Sequence, residues 1–552
     1  MHFSTDNSPA ADDSRCRACD SSNLYLFVQA SSLGMHTPLD QCETRYYKCH
    51  DCGSLNDLSA GQFFYGNEID LPYTNFYLDV AAGVDEMVDP IARFAKAYAS
   101  SLSQIAKPSL LELGCGFGFG IDFATRILQW HSLGIEPGGY GVIGRKTLGV
   151  AIDSQLLGQG SQADATHYDC IYASEVLEHI ENPLPFLHEV RSHLTSQGGV
   201  VMTTPCADFI KQINPPQEVY AALFPGEHKI LLTRQGAEIL FNKAGFQSTI
   251  VENRRPSNLV IQSSMALQLK PLYACTDYAQ ASREASDQYL SAFVSSYNGS
   301  KSQGEPERIQ LAMAFRLVKS LTNSAQLDEA ISVLLGIEDS LFTALDPDLK
   351  GLYQQRQSQA TVSQRLSAVL QGCWQGMLKE QLLTLYAEQS YPQRGLSFLK
   401  TLGFFVCTLI HGQDPHLVKP ELQVVEGFLE TMIQYAWTLR NSRYSYYHIE
   451  FVSLLGPALT SLILARNKLG CRTNLDCYPF FNQEWFKRDN PVSYADIVRL
   501  TNEWLPQPLA TSGGERLPLS APAGPMAASS APPLGKLSSL LKMTKQVFAK
   551  PR

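Results

Sequence analysis

Between residues 84 and 263 the chain alternates short apolar runs with stretches whose apolar residues recur every three or four positions. Pro108 opens the first run, in which Leu110, Leu111 and Leu113 supply a buried strand, and Ile121 to Leu128 behind it has helical spacing. Further strand-like runs are His131–Ile135, Gly149–Asp153 and Tyr168–Ser174, the last turning into a helix. A helix ends near Leu194, Gly198-Gly199 makes a turn, and Val200–Thr204 is the next strand; Ser248–Val251 and Leu259–Ser263 add two more. Val84 to Leu102 reads as one amphipathic helix leading in. Strands alternating with helices predict an α/β architecture. Ahead of it, Leu24–Val28 and Thr44–Lys48 are short strands; behind it, from Glu305 to about Pro506, the pattern is helical, with Leu311, Phe315, Val318 and Leu321 on one stripe.

The strand-turn-helix around Gly114 carries the chemistry. Glycines stand at 114, 116, 118 and 120, so the backbone can turn sharply and approach a ligand with no Cβ in the way, ahead of a helix N-terminus with free N–H groups. The dinucleotide fingerprint G-x-G-x-x-G fails, because its third glycine position holds Phe119. Glu112 precedes the first glycine by two residues, and Glu136 ends the next strand 18 residues past Gly118, where an acid can accept hydrogen bonds from ribose hydroxyls. Acid-x-Gly-x-Gly-x-Gly resembles motif I of the class I S-adenosylmethionine (SAM)-dependent methyltransferases. Gly134-Ile135-Glu136-Pro137, Tyr168–Ile180, Leu194–Pro205 and Pro225–Phe246 resemble further blocks of that family, in its order. The resemblance covers about residues 105–250 and implies a Rossmann-like core with a mostly parallel seven-stranded sheet. It implies SAM as cofactor, held by Glu112, Gly114, Cys115, Gly116, Gly118, Glu136, Pro137, Ser174 and Glu175, with Ala163-Asp164 near the adenine.

Cys16-x-x-Cys19 and Cys49-x-x-Cys52 are two knuckles that can converge on one tetrahedral zinc. Four thiolates close the shell, so such a zinc is structural and supplies folding energy to a segment too small for its own core. The arrangement resembles the zinc-binding segment that precedes some sugar C-methyltransferases. Cys42 is a spare. The other cysteines of a chain with 13, and a Met1–Asp6 start lacking a basic stretch before an apolar run, fit reduced thiols and a cytoplasmic setting. The net charge of −9 excludes a general nucleic-acid binder. Phe451 to Ala465, broken by Gly456 and Pro457, is too short to span a bilayer and reads as a buried helix.

These readings divide the chain into a zinc-ribbon-like segment (1–62), a methyltransferase domain (63–270), an all-α domain (271–505), a Pro/Ala/Ser/Gly linker (506–535) and a basic amphipathic tail helix (536–552). The aromatic stretch 63–77 either covers the cofactor or packs the ribbon on the next domain. The region of Ala312–Leu321 and Leu327–Leu335 vaguely resembles one tetratricopeptide hairpin, with no repeat at the expected period, and suits a protein partner or self-association. The tail has five basic and no acidic residues and suits either peripheral contact with the inner face of a membrane or a solvated end. A hydroxyl acceptor needs a base as its proton leaves, and His179 and His228 are the candidates, with Glu175 about one helical turn before His179 and able to share its cleft. The resemblance implies methyl transfer to a sugar or surface glycan. A small-molecule or lipid acceptor, and a non-catalytic scaffold that keeps the fold, are the alternatives; intact Glu112, Gly114, Gly116, Gly118 and Glu136 argue against the scaffold.

Overall fold

The computed structural model describes residues 2–4, 8–11, 13–31, 43–58, 81, 83–214, 216–297, 305–324, 326, 329, 330, 333, 419–440 and 455–502. Cys42, the aromatic stretch 63–77, most of 327–335, the linker 506–535 and the tail 536–552 lie outside them. The chain forms two compact units, residues 1–356 with 381–405, and residues 357–380 with 406–552. Among the described residues no helix is long and apolar enough to cross a membrane.

The first unit runs β1 (His2–Phe3), β2 (Leu24–Ser31), β3 (Glu43–Cys49), β4 (Leu55–Asp57), α1 (Val84–Ala97), α2 (Ala99–Leu102), β5 (Ser109–Leu113), α3 (Phe119–Arg126), β6 (His131–Ile135), α4 (Gly139–Leu148), β7 (Ile152–Asp153) and β8 (Tyr168–Ser174). It continues α5 (Pro183–Ser192), β9 (Leu194–Pro205), α6 (Pro216–Leu223), β10 (Ile230–Leu231), α7 (Arg234–Lys243), β11 (Ser248–Arg255), β12 (Asn258–Ser264), α8 (Thr276–Tyr297) and α9 (Glu305–Asn323). Seven strands form the main sheet in the order β11-β12-β9-β8-β5-β6-β7. Only β12 runs against its neighbours; the pairs from β9 to β7 are all parallel. This is the mostly parallel seven-stranded α/β fold that the sequence leads one to expect.

The strands are apolar on both faces because helices cover both. Leu110, Cys170, Tyr172, Val201 and Val260 face a layer built from α1, α3, α8 and α9. Their neighbours Leu111, Ile171, Ala173, Val200, Met202, Leu259 and Ile261 face α5, α7 and the cysteine-bearing segment. Tyr289 of α8 is wholly buried and donates a 2.9 Å hydrogen bond to Asp122 of α3, tying the C-terminal helices to the glycine turn.

Three local expectations are revised. Val84–Leu102 is broken at Tyr98, whose backbone leaves the helix (φ −109°, ψ 15°) and whose hydroxyl bonds Gln262. Gly198 and Gly199 lie inside β9 rather than in a turn; the register slips there, Tyr168 facing Leu194 while Cys170 faces Gly199. A Cβ on Gly198 would meet the Tyr168 carbonyl at 2.7 Å, which is why this irregularity takes glycine. Tyr168–Ser174 does not turn into a helix: Glu175 adopts φ 53°, residues 177–179 make a single tight 3₁₀ turn, and α5 begins only at Pro183.

A second, antiparallel sheet runs β1-β2-β3-β4-β10. Its last strand comes from far along the chain, Ile230 facing Asn56 and Leu231 facing Leu55. The cysteine segment is thus welded to the α/β core by shared strands.

The second unit packs α10 (Lys419–Arg440) on α11 (Leu455–Leu469), followed by α12 (Glu484–Asp489) and α13 (Pro491–Asn502). Arg466 bonds both Glu426 and Glu430, and Trp437, Phe480, Trp485 and Phe486 form an aromatic cluster. From Leu455 on, the run broken by Gly456 and Pro457 is a buried helix, α11; residues 451–454 lie outside the described residues.

Candidate functional site

In an open parallel sheet the ligand crevice lies beyond the carboxyl ends of the strands, where the strand order reverses. Here that point is the end of β5, between β6 and β8. Gly114, Gly116 and Gly118 follow β5 with φ of 64°, 53° and 84°, values that disfavour any residue with a Cβ. A Cβ on Gly114 would strike Val176 at 2.5 Å, whereas beside Gly116 there is open space. The turn therefore packs on its inner side and leaves its outer side clear.

Two carboxylates frame this space. Glu136, at the end of β6, accepts hydrogen bonds from the backbone N–H of Gly116 (3.0 Å) and of Gly138 (2.7 Å), so its orientation is locked. Burial raises its pKa, and those two N–H groups oppose the rise. Glu112 is 3% exposed, and its carboxylate lies over the start of α3: a Cβ on Gly120 would meet Oε2 at 2.4 Å. Burial pushes its pKa up to about 8 against the pull of the Ile121 N–H. Its Oε2 has no hydrogen-bond partner among the described residues. A buried carboxylate oxygen lacking a donor, a locked second carboxylate and a clear glycine face fit the ammonium and ribose ends of SAM.

The other sequence candidates fall around this frame. Cys115 turns inward: a Cβ on Gly134 would sit 2.4 Å from its Sγ, and its N–H is taken by the Ile135 carbonyl. Pro137 follows Glu136 and is half-buried. Asp164 spends its carboxylate on the N–H groups of Gly158 and Gly160, and Ala163 is fully buried. Ser174 Oγ lies 2.8 Å from Thr203 Oγ1, which donates to Glu175 Oε1 at 3.0 Å, as Asn258 Nδ2 does at 2.8 Å. Glu175 stays open to solvent although protein crowds it closely, the setting of a group on a cleft floor; that crowding raises its carboxyl, opposed by the Asn258 and Thr203 bonds.

His179 and His228, 49 residues apart in the chain, meet edge to face with ring centroids 4.8 Å apart. Their carboxylate neighbour is Glu178, since His228 Nε2 stands 4.0 Å from Glu178 Oε1. His228 donates Nδ1–H to the Ala222 carbonyl at 2.8 Å, which leaves Nε2 as the basic nitrogen. Burial, together with His179, holds its pKa well below the usual histidine value. Glu178 is wholly buried, accepts from Thr204 Oγ1 at 3.0 Å, and is held well above the usual carboxyl range by burial and by Glu175. Sequence reasoning passed over Glu178 and Asn258. Glu178 stood beside His179 in the same run, but a helix assumed there gave it no partner; Asn258 carries no local signal.

The four cysteines Cys16, Cys19, Cys49 and Cys52 converge, all sulfurs within 4.8 Å of one another. Cys16 and Cys52 are 3.6 Å apart and Cys19 and Cys49 3.5 Å, against about 3.8 Å for a tetrahedron of thiolates around zinc. Asn56 Nδ2 points at Cys16 Sγ from 3.7 Å. Gly53 takes φ 75° to turn the second knuckle, and Thr233 bonds the Cys52 carbonyl from the far side. These residues fit a structural zinc. The same sheet holds the site histidine: Lys229, next to His228, pairs with Asp57 at 3.0 Å with both side chains buried, and its carbonyl accepts from the Asp57 N–H.

Residues 81–251 match a family model described as a methyltransferase domain. No curated protein matches the chain in sequence. Among solved structures, a Nostoc punctiforme PCC 73102 protein aligns at 16% identity over 34% of this chain and 59% of its own, with a TM-score of 0.26. The plantazolicin methyltransferase BpumL in complex with SAH aligns at 15% identity over 39% of this chain and 84% of its own, TM-score 0.30. The CurJ carbon methyltransferase aligns at 16% identity over 36% of this chain and 59% of its own, TM-score 0.29. The chain thus spans about 59% of the length of the first of these structures. With the strand order, the glycine turn and the two buried acids in place, residues 81–251 combine the seven-stranded α/β fold with a match to the methyltransferase-domain model.

Proposed function

We propose that the chain transfers a methyl group from SAM to a sugar or surface-glycan acceptor. The observation that carries the transfer is the open face of Gly116 between two buried carboxylates, one locked and one with an unpartnered oxygen. When bound, SAM supplies a methyl already activated by its sulfonium. Glu112 would hold the ammonium, Glu136 the ribose, and the backbone from Gly114 to Gly118 the amino-acid end. Ser174 and Glu175 form the opposite wall, with Thr203 and Asn258 fixing the Glu175 carboxylate. An acceptor hydroxyl must lose its proton as it reacts, and Glu178, His179 and His228 are the groups placed to handle that proton. The rest is orientation of the acceptor behind the methyl.

The sugar class rests on the Cys₄ segment ahead of the core and its similarity to the segment before sugar C-methyltransferases. On this reading Cys16, Cys19, Cys49 and Cys52 hold a structural zinc. The helical C-terminal unit serves a protein partner or self-association, and the 536–552 tail serves peripheral contact with the cytoplasmic face of a membrane.

The test is calorimetric SAM binding to the full chain, with Gly116→Arg as control, then mass-shift screening of glycan, lipid and small-molecule acceptors. Saturable binding lost in Gly116→Arg is expected, since the side chain would fill the open face from a left-handed backbone position. A folded chain that binds no SAM would refute the transferase, and a methyl mass shift on a lipid alone would refute the glycan.

A further inference from the structure

We propose that Glu178, His179 and His228 form a binding site for a divalent first-row transition cation, separate from the Cys₄ cluster. The inference deepens the transferase reading and rests on it for its role. One ligand atom from each of the three residues lies within 4.8 Å of the others. Two imidazoles and one carboxylate are a donor set that suits such cations while leaving coordination positions open.

The surroundings are those of a built site. Glu178 is wholly buried, Oε2 is oriented by Thr204, and Oε1, the atom facing His228, has no hydrogen-bond partner among the described residues. A buried carboxylate oxygen without a donor calls for one. His228 is 6% exposed, and its Nδ1–H is spent on the Ala222 carbonyl, so Nε2 is presented toward Glu178. A ligating histidine whose other ring nitrogen is anchored to a carbonyl is the usual outer-shell arrangement of a metal centre. Ligand atoms at neighbouring positions around a cation are about 3 Å apart. The 4.0 Å between His228 Nε2 and Glu178 Oε1 therefore needs a contraction of only about 1 Å.

The placement gives the cation a role. Glu175, three residues before Glu178, lies on the open side, and Lys229 beside His228 is fastened to Asp57, so the site is rigid behind and open in front. As ligands the three side chains act on the acceptor's proton through the cation rather than as bases: a hydroxyl taking an open position loses its proton to water more readily. Its oxygen then forms the O–CH₃ bond as the S–CH₃ bond breaks, leaving a neutral thioether. Vicinal hydroxyls, as on a sugar, could occupy two such positions.

The experiment titrates Mn²⁺ into the zinc-loaded full chain and follows free Mn²⁺ by electron paramagnetic resonance. Zinc loading is held to one equivalent per chain, which the four thiolates take first, so they stay occupied and the Glu178–His179–His228 site is left free of a cation that would outcompete Mn²⁺. One Mn²⁺ per chain is expected, weakened at least ~10-fold by His179→Ala, which alters only a half-buried side chain, and also by Thr204→Val through the loss of Glu178 orientation. Circular dichroism checks the fold of each variant. No Mn²⁺ bound by the wild-type chain, or equal binding by His179→Ala, would overturn the proposal. Calorimetric SAM binding in the same preparation keeps the two readings apart. Mn²⁺ bound without SAM supports the cation site and counts against the transferase; SAM bound without Mn²⁺ does the reverse.

Discussion

Replacing Glu112 with Gln should make the cofactor-free protein lose less stability as pH rises while weakening its hold on SAM. The carboxylate is buried, and its pKa rises from 4.5 to about 8 on folding because burial disfavours the charge. A carboxyl whose folded pKa lies above its unfolded one favours the folded state fully below pH 4.5. That contribution is lost as pH rises toward 8, because the unfolded chain ionises first. Each pKa unit is about 1.4 kcal/mol, so between pH 5 and pH 9 the wild-type chain should lose about 4 kcal/mol more than Glu112→Gln. Comparing the two proteins cancels the titrating groups that do not feel the Glu112 charge. It also cancels the constant cost of housing the Gln amide, because that cost does not vary with pH. The assay is urea-dependent hydrogen exchange of the β5 and α3 amides at the two pH values, which reads the opening of this unit alone. Parallel loss in both proteins would refute the reasoning, for it would mean that Glu112 is not held uncharged by burial. If the SAM ammonium sits on Oε2, binding ionises Glu112, and calorimetry at pH 7 in buffers of different ionisation enthalpy should register close to one proton released. No release would remove Glu112 from the ammonium site.

Two further outcomes follow from the shared sheet. Stripping zinc with a chelator should abolish hydrogen-exchange protection in β3 and β4 and, through the β4–β10 pairing, in Ile230 and Leu231; protection unchanged in a demonstrably zinc-free chain would show that the thiols need no metal. Lys229→Met alone should destabilise the first unit by about 3–5 kcal/mol by taking the lysine charge away from buried Asp57, and adding Asp57→Leu should recover most of that; denaturation of both variants decides, and a double variant no better than the single refutes the buried pair.

Much of the core could be read from local pattern. The glycines at 114, 116 and 118 declared their left-handed backbone by type, and Glu112 and Glu136 were placed at strand ends by register with them. The paired CxxC spacings announced four converging thiols. The helix expected after Ser174 was misjudged, because propensity cannot see that Glu175 is pulled into a left-handed turn by Thr203 and Asn258, residues 28 and 83 positions away. The Gly198-Gly199 pair looked like a turn and is a strand irregularity, since only the packed neighbour Tyr168 shows what the missing side chains avoid.

By itself, then, the sequence determined most of the strands and helices, the left-handed turn at Gly114–Gly118 and which residue types offer themselves to a cofactor or a zinc, because backbone sterics and side-chain chemistry act over a few residues. The tertiary structure alone decided that Ile230-Leu231 completes the N-terminal sheet, that α8 and α9 cover the main sheet, and that Glu178 and His179 meet His228. Those outcomes depend on which apolar faces find one another across long stretches of chain, and burial is non-directional, so nothing in a local pattern names the partner.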